Sequence, residues 1–120
     1  MQIGDTFYWG EGGHLWVVIT DPESVDNDGE FIIVNLTKDV FRAGKECELN
    51  VGDHRWITEK TYVSFGDAQR LGANEALRLT KAIKTGAIKT HYPMKPAVLQ
   101  KIISAAKLSK ALPSGFVDLL

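Results

Sequence analysis

The sequence predicts an α+β fold in which a small, strongly twisted antiparallel β-barrel spans residues 1–65 and a helical segment, residues 66–120, packs against it within one structural domain. Two N-terminal runs of β-branched and aromatic residues, 15–19 and 31–37, are almost continuously apolar, as expected for strands buried on both faces. Further short strand-like segments are separated by turn residues, with no helical pattern between them. After residue 66 the apolar residues instead recur at the spacing of a helix.

The barrel half is predicted to contain six short strands. The first, Gln2 to Trp9, leads through the glycine-rich segment 10–13 into the second, residues 15–19, which Asp21-Pro22 stops because proline cannot donate to a β-ladder. A polar loop over 22–29 precedes the third strand, residues 30–37. Alternation of polar and apolar residues predicts a half-exposed strand over 46–51, and short strands follow at 56–57 and 62–65.

The C-terminal half is predicted to contain a short helical turn and two helices. Asp67 is a suitable N-cap for a turn that reaches Leu71, and Gly72 would end it. One amphipathic helix is predicted over 73–85, and a second begins at Pro96 and ends before Pro113. Neither helix would be stable alone in water, so both are expected to pack on the barrel or on a partner.

Charge is distributed unevenly, although the net charge is only -1. Residues 1–65 contain twelve Asp or Glu and five Lys or Arg, whereas residues 66–110 contain nine Lys or Arg and two acids. The split predicts either a basic surface for a polyanion or a C-terminal segment that docks on its own acidic half. A solvated basic helix face is the third interpretation.

The composition favours a cytoplasmic protein without a membrane partner. No stretch approaches the roughly 18 apolar residues of a membrane span, and the first residues lack the basic-then-apolar pattern of a secretory signal. The single cysteine, Cys47, excludes an internal disulfide and fits a reducing compartment.

The barrel half contains segments that resemble a known family. A Gly4-Asp5 start and a glycine-rich connection lead into an apolar strand ending Ile19-Thr20-Asp21-Pro22, and a further strand ends Val34-Asn35-Leu36-Thr37. Over about residues 3–65 this pattern resembles the plasmid-toxin barrel of the MazF/PemK type, an SH3-like barrel of bacterial toxin–antitoxin modules. The resemblance implies a sequence-selective endoribonuclease that cuts single-stranded RNA without a metal or other cofactor, is often a homodimer, and is neutralised by a cognate antitoxin.

The same resemblance implies where the cleavage site lies. The family has a basic residue just before the second strand and a Ser or Thr after the third. The matching positions here are His14, where the family usually has Arg, and Thr37. The Arg-to-His difference indicates either that the catalytic roles are distributed differently among the site residues or that the activity itself is different. The turn at Gly52-Asp53-His54 and the basic C-terminal segment are additional to the family pattern.

Metal-free RNA cleavage uses the substrate's 2′-hydroxyl as nucleophile, so the protein must supply a base, an acid and a cation or donor for the phosphate. His14 and His54 are the candidate acid–base pair, because imidazole titrates near neutral pH. Thr37 or Ser64 can donate to a phosphate oxygen, an arginine can neutralise it, and an exposed tryptophan can stack on a base. We therefore predict His14, Thr37 and His54 as catalytic residues and Arg42, Arg55, Trp16 and Trp56 as substrate-binding residues.

A non-catalytic SH3-like module that binds a protein partner or nucleic acid is the alternative. An enzyme requires His14, Thr37 and His54 to converge in one cleft, whereas a binding module should expose aromatic or basic surface. A zinc site from Cys47, Asp53, His54 and His14 has suitable ligand types but no closely spaced pair, so no metal is predicted. Cys47 alternates with apolar residues, which favours a buried, inert thiol.

Overall fold

The computed structural model describes all 120 residues and contains one six-stranded, entirely antiparallel sheet. The strands are β1 (Thr6–Tyr8), β2 (Leu15–Val18), β3 (Phe31–Thr37), β4 (Glu48–Leu49), β5 (Thr61–Leu71) and β6 (Thr90–His91), in the spatial order β4-β5-β3-β2-β1-β6. The helices are α1 (Val40–Ala43), α2 (Ala73–Lys84) and α3 (Pro96–Leu108), with 3₁₀ turns at Glu11–Gly13, Val25–Asn27 and Phe116–Leu119.

The central strands are buried on both faces, which explains their continuous apolar sequences. One face packs on α3, whose apolar stripe includes Ile102, and on Leu119 of the last turn. The other face packs on α2 through Leu79. Alternate residues of β3 enter the two cores: Ile32 lies in the larger core and Ile33 in the smaller one.

The sheet is open, which corrects the predicted β-barrel. β4 and β6 are the two edge strands and do not pair with each other. Each contains only two residues, too few to carry a ladder around to the opposite edge. The segments that follow these edges nevertheless meet. His54 Nε2 lies 2.6 Å from the carbonyl oxygen of Tyr92, and Lys95 Nζ donates to the carbonyl oxygen of Gly52 at 2.6 Å.

The helical turn predicted from Asp67 to Leu71 is wrong. β5 instead continues through Gly66 to Leu71, across the predicted boundary at residue 65. This segment pairs with β3, where Phe31 is opposite Leu71 and Ile33 opposite Gln69. Pairing with a buried central strand satisfies the backbone more fully than a local cap would, so tertiary context overrides the capping signal.

The two predicted helices are confirmed, whereas two short strands are not. The first helix, predicted over 73–85, is α2, and Pro96 opens α3 as expected. The strand predicted over 46–51 is reduced to β4, and residues 56–57 belong to a turn. The chain folds around His54 there: its carbonyl oxygen accepts from the Ile57 N–H and its Nδ1 accepts from the Trp56 N–H, each at 3.0 Å.

The basic C-terminal half docks on the acidic N-terminal half, one of the alternatives that the charge split suggested. Arg70 forms an ion pair with Glu30 at 2.7 Å, and Glu46 accepts hydrogen bonds from Ser109 Oγ and the Lys110 N–H. By contrast, none of the basic side chains of α2 forms an ion pair; these are Arg78, Lys81 and Lys84. None of the helices has the length and apolar character needed to cross a membrane.

Candidate functional site

The α2 side of the sheet changes from apolar to polar along β3. Phe31 and Ile33 belong to the apolar core beneath α2, but the next residues on that face are Asn35 and Thr37, which are also buried. On the neighbouring strand, the buried Ser64 lies opposite Asn35. Buried polar groups in a row across two central strands are unusual enough to mark this end of the face as a candidate site.

A bulge in β5 adds a carboxylate to this polar end. Ile33 pairs with Gln69 and Asn35 pairs with Ser64, so two steps along β3 correspond to five along β5. Bulged residues leave the regular ladder, which frees their side chains to be directed elsewhere. Asp67 lies in the bulge, and its Oδ2 accepts a hydrogen bond from Ser64 Oγ at 2.6 Å.

Arg42 joins Asp67 to His14. It belongs to α1, a single helical turn whose N-cap Asp39 accepts hydrogen bonds from two backbone N–H groups of the turn. Arg42 Nε donates to Asp67 Oδ2 at 2.9 Å, and Arg42 Nη1 lies 3.4 Å from His14 Nε2. The connected side chains form what we call the His14 cluster: His14, Arg42, Ser64 and Asp67.

The glycine-rich connection between β1 and β2 leaves room for the His14 ring. Gly10, Gly12 and Gly13 have φ values of 79°, 80° and 63°, in the region where side chains with a Cβ are disfavoured. A Cβ on Gly12 would lie 3.5 Å from His14 Nε2. Glycine is therefore required here by the backbone, and it also keeps the imidazole uncovered.

The hydrogen bonds define the charge state of the cluster. Arginine is only a donor, so its contact with His14 Nε2 requires that nitrogen to be an acceptor, with the ring proton on Nδ1. Partial burial alone would raise the pKa of Asp67. The hydrogen bonds from Ser64 and Arg42, and the charge of Arg42, outweigh it and hold that pKa below its ordinary value. The cluster thus combines an imidazole acceptor with a guanidinium held by an ionised carboxylate.

Asn35 adds an unused acceptor next to this cluster. Its Oδ1 is a buried side-chain atom without a hydrogen-bond partner, and the residue is only 2% exposed. An unpaired buried polar group costs about 1–3 kcal/mol, so its retention indicates a strain reservoir or a ligand contact. Asn35 pairs in register with Trp16 on one side and with Ser64 on the other.

Thr37 supports the backbone beside the cluster and forms no hydrogen bond with it. The side chain is 8% exposed, and its Oγ1 accepts from the Asp39 N–H at 3.1 Å. Because Asp39 caps α1, this bond helps to fix the turn that carries Arg42.

His54 lies in a different cluster from His14. The ring is 4% exposed, its Nδ1 accepts from the Trp56 N–H at 3.0 Å, and its Nε2 donates to the Tyr92 carbonyl oxygen at 2.6 Å. Both ring nitrogens are therefore bonded to the backbone. The three side chains predicted to be catalytic do not converge: only His14 belongs to the His14 cluster.

Arg55 lies beside His54 rather than beside Arg42. Its Cζ is 4.4 Å from the centroid of the Tyr92 ring, and its Nη1 donates to Tyr92 Oη at 3.1 Å. The His91 ring is 4.8 Å from the His54 ring. Burial, and then the neighbouring charge of Arg55, lower the pKa of His91. We call this group the Arg55 cluster: His54, Arg55, His91 and Tyr92.

The two tryptophans predicted to bind substrate are largely packed. Trp16 is 8% exposed, its Nε1 donates to the Trp9 carbonyl oxygen at 3.0 Å, and its ring meets the Trp9 ring edge-to-face at 5.6 Å. Trp56 is half-buried against the larger core. No three His, Cys, Asp or Glu side chains come close enough together to hold a metal ion.

Comparisons with known proteins supply no further information about this site. No protein-family model, curated protein or solved structure matches the chain. The chemical interpretation of the two clusters therefore depends on their geometry.

Three of the residues that matter here escaped the sequence analysis as site residues. Asp67 was assigned to a helix cap, because an acid after glycine and before a short polar segment resembles one. Asn35 lies near the end of the strand predicted over 30–37, and nothing in its local sequence indicates that its oxygen lacks a partner. His91 precedes Tyr92-Pro93, a typical extended linker, and only the pairing of β6 with β1 brings it beside His54.

Proposed function

We propose that this protein is a metal-independent endoribonuclease that cleaves single-stranded RNA, a toxin of the MazF/PemK type whose open sheet is a variant of the SH3-like barrel. The observation that carries the proposal is the contact of Arg42 with both His14 and Asp67. It unites two of the three groups that metal-free RNA cleavage uses, an imidazole base and a guanidinium for the phosphate, and leaves the acid to solvent.

In the proposed reaction His14 is the general base. When RNA binds, Arg42 Nη1 turns from His14 to the phosphate. The freed Nε2 then accepts the proton of the 2′-hydroxyl, the 2′-oxygen forms a bond to phosphorus, and the bond from phosphorus to the 5′-oxygen breaks. The leaving 5′-oxygen takes a proton from water, and the products carry a 2′,3′-cyclic phosphate and a 5′-hydroxyl. Arg42 has five N–H donors, so those not bonded to Asp67 can bind the phosphate oxygens while the negative charge increases.

The other residues position these two groups in the proposal. Asp67 holds the guanidinium, and Ser64 holds Asp67. Thr37 and His54 have structural roles, because their polar atoms bond to backbone groups. The proposal thus keeps His14 and Arg42 from the predicted site. The role of general acid, which the sequence analysis gave to the second histidine of the pair, passes to solvent water.

An antitoxin that neutralises such an enzyme would cover the His14 cluster. Phe41 precedes Arg42 on α1 and is 98% exposed, so it would belong to the surface that the antitoxin covers. We include a homodimer in the proposal as the state in which related toxins often act.

Cleavage of a labelled single-stranded RNA in the presence of EDTA tests the proposal. We expect discrete fragments that end in a cyclic phosphate. His14→Ala should lower the rate by about 10²–10⁴, the usual contribution of a general base, and Arg42→Gln by about 10²–10³. Lys45→Gln is the matched control, since it removes an exposed cation that forms no ion pair or hydrogen bond. Intact RNA with the wild-type protein, or equal rates for wild type and His14→Ala, contradicts the proposal.

A non-catalytic module that binds a protein or nucleic acid is the second candidate. Two observations favour it: the predicted imidazole pair is divided between two clusters, and the apolar side chain of Phe41 is almost fully exposed. Induced expression discriminates between the candidates. Growth arrest with fragmented RNA, both abolished by His14→Ala, supports the enzyme. Normal growth with intact RNA supports the module.

A further inference from the structure

The Arg55 cluster borders an open cleft of about 390 Å³ that is separate from the His14 cluster. Thr90, His91, Tyr92 and Pro93 line this cleft, at the edge strand β6 and the segment after it. Tyr92 is 55% exposed and carries the Arg55 guanidinium over its ring. The cleft therefore presents aromatic and imidazole surface, and Arg55 packs on the ring of Tyr92, one of its lining residues.

Arg55 is a cation without an acidic partner. Arg42 and Arg70 each form an ion pair with a carboxylate, whereas the only side-chain partner of Arg55 is the Tyr92 hydroxyl. The acids of the adjoining segments are engaged elsewhere, because Asp53 accepts from the Asn50 N–H and Asp5 from the Gln2 N–H. The exposed guanidinium therefore retains N–H donors for an anion.

His91 supplies a second donor on the same side. Its Nδ1 accepts from the Tyr92 N–H at 2.8 Å, so the proton of the neutral ring is on Nε2. No protein group accepts a hydrogen bond from that Nε2–H. The Tyr92 N–H fixes the His91 ring, and the Tyr92 carbonyl oxygen accepts hydrogen bonds from Thr6 Oγ1 at 2.7 Å and from His54 Nε2 at 2.6 Å. The backbone that orients His91 is therefore held in place before any ligand binds.

We propose that the Arg55 cluster is a second nucleotide subsite, in which Arg55 and His91 bind a backbone phosphate of single-stranded RNA and Tyr92 stacks on the adjoining base. Aromatic rings interleaved with cations are the usual means of holding a single strand, since bases stack and phosphates pair. The identity of the ligand as RNA rests on the proposed function, but the subsite itself requires no cleavage.

The sheet register places the Arg55 cluster apart from the His14 cluster. His91 pairs with Thr6, and its ring is 6.2 Å from the ring of Tyr8, which packs against the larger core. The subsite therefore depends on its own contacts and requires no strand that spans both clusters.

Binding of a fluorescent 2′-O-methyl oligoribonucleotide, followed by anisotropy over a range of salt concentrations, tests the subsite. This probe lacks the 2′-hydroxyl nucleophile, so it reports binding without cleavage. Arg55→Gln should weaken binding about tenfold and reduce the slope of log K against log salt by about 0.7, the value for one phosphate of a single strand. Tyr92→Leu should weaken binding by a similar factor through lost stacking.

The control is Lys107→Gln, which removes one exposed positive charge from α3 that has no hydrogen-bond partner. Thermal unfolding shows that each variant is folded. A wild-type protein that fails to bind the probe, or an Arg55→Gln variant that binds as tightly as Lys107→Gln, overturns the subsite even if the wild-type enzyme cleaves RNA. Arg55-dependent binding without cleavage supports the subsite and contradicts the proposed ribonuclease.

Discussion

Replacing His54 with alanine should reduce stability and leave the chemistry of the His14 cluster intact. The ring is 4% exposed and bonds to two backbone groups, the Trp56 N–H at 3.0 Å and the Tyr92 carbonyl oxygen at 2.6 Å. It also links the loop after β4 to the segment after β6, the two edges of the open sheet. The substitution removes both bonds and this link.

The expected loss follows from the fate of each partner. Two hydrogen bonds contribute about 1 kcal/mol each, and the Trp56 N–H that loses its acceptor adds about 1 kcal/mol. The Tyr92 carbonyl oxygen still accepts from Thr6 Oγ1 at 2.7 Å, so its own penalty is small. The free energy of unfolding should therefore fall by about 3 kcal/mol, which corresponds to a Tm lower by about 10–15 °C for a chain of this size.

Thermal unfolding and RNA cleavage should be measured on wild type, His54→Ala and His14→Ala, with cleavage well below every Tm. We expect His54→Ala to unfold at a lower temperature but to keep nearly the wild-type kcat at saturating RNA. His14→Ala should keep the wild-type Tm and lose cleavage. A folded His54→Ala protein with an unchanged Tm and no cleavage would refute this reasoning and return His54 to an acid–base role.

Three further substitutions or reagents test the energetics of the fold. Asp67→Asn should cost about 0.5–1 kcal/mol at neutral pH, because its ion pair with Arg42 is partly exposed. The pKa of Asp67 is lowered on folding, so this contribution is present above its ordinary pKa of 3.8 and is lost as pH falls through the folded value. Urea unfolding curves of wild type and variant should thus converge in acid, and a constant difference would contradict the assignment. Burial raises the pKa of the Cys47 thiol to about 11, so iodoacetamide at mildly alkaline pH should label the unfolded protein and leave the native protein unlabelled. Ile102→Ala, at a fully buried position of α3, should cost about 2–5 kcal/mol in urea unfolding; a value under about 1 kcal/mol would mean that α3 is loosely packed.

The parts of the fold that follow local periodicity were predicted from the sequence. The strand predicted over 30–37 is β3, which starts one residue later, at Phe31. The helix predicted to begin at Pro96 is α3. In both cases the positions of the apolar residues within the segment reveal which faces are buried: both faces in β3 and one stripe in α3. The closure of the barrel could not be predicted, because it depends on whether two short edge strands meet.

The site was predictable only where a residue's neighbours in the chain decide its role. His14 follows the glycine-rich connection that exposes it, so the sequence could identify it. Asp67 joins it only because β5 bulges against β3, and a bulge is a property of two paired strands. His54 carried the sequence signals of an exposed turn, yet its ring is buried because it bonds the backbone of a segment 38 residues away.

The separation of the two imidazoles follows from side-chain alternation. Leu15 faces the larger core, so His14, one residue earlier, is directed to the opposite face, where Arg42 and Asp67 lie. His54 follows β4, whose Leu49 also faces the larger core, and it meets Tyr92 on that side of the sheet. A two-histidine mechanism would need both rings on one face, and no change of rotamer can move a side chain through a buried sheet. If this protein cleaves RNA, solvent must therefore supply the proton that a second imidazole cannot, while the guanidinium of Arg42 stabilises the negative charge on the phosphate.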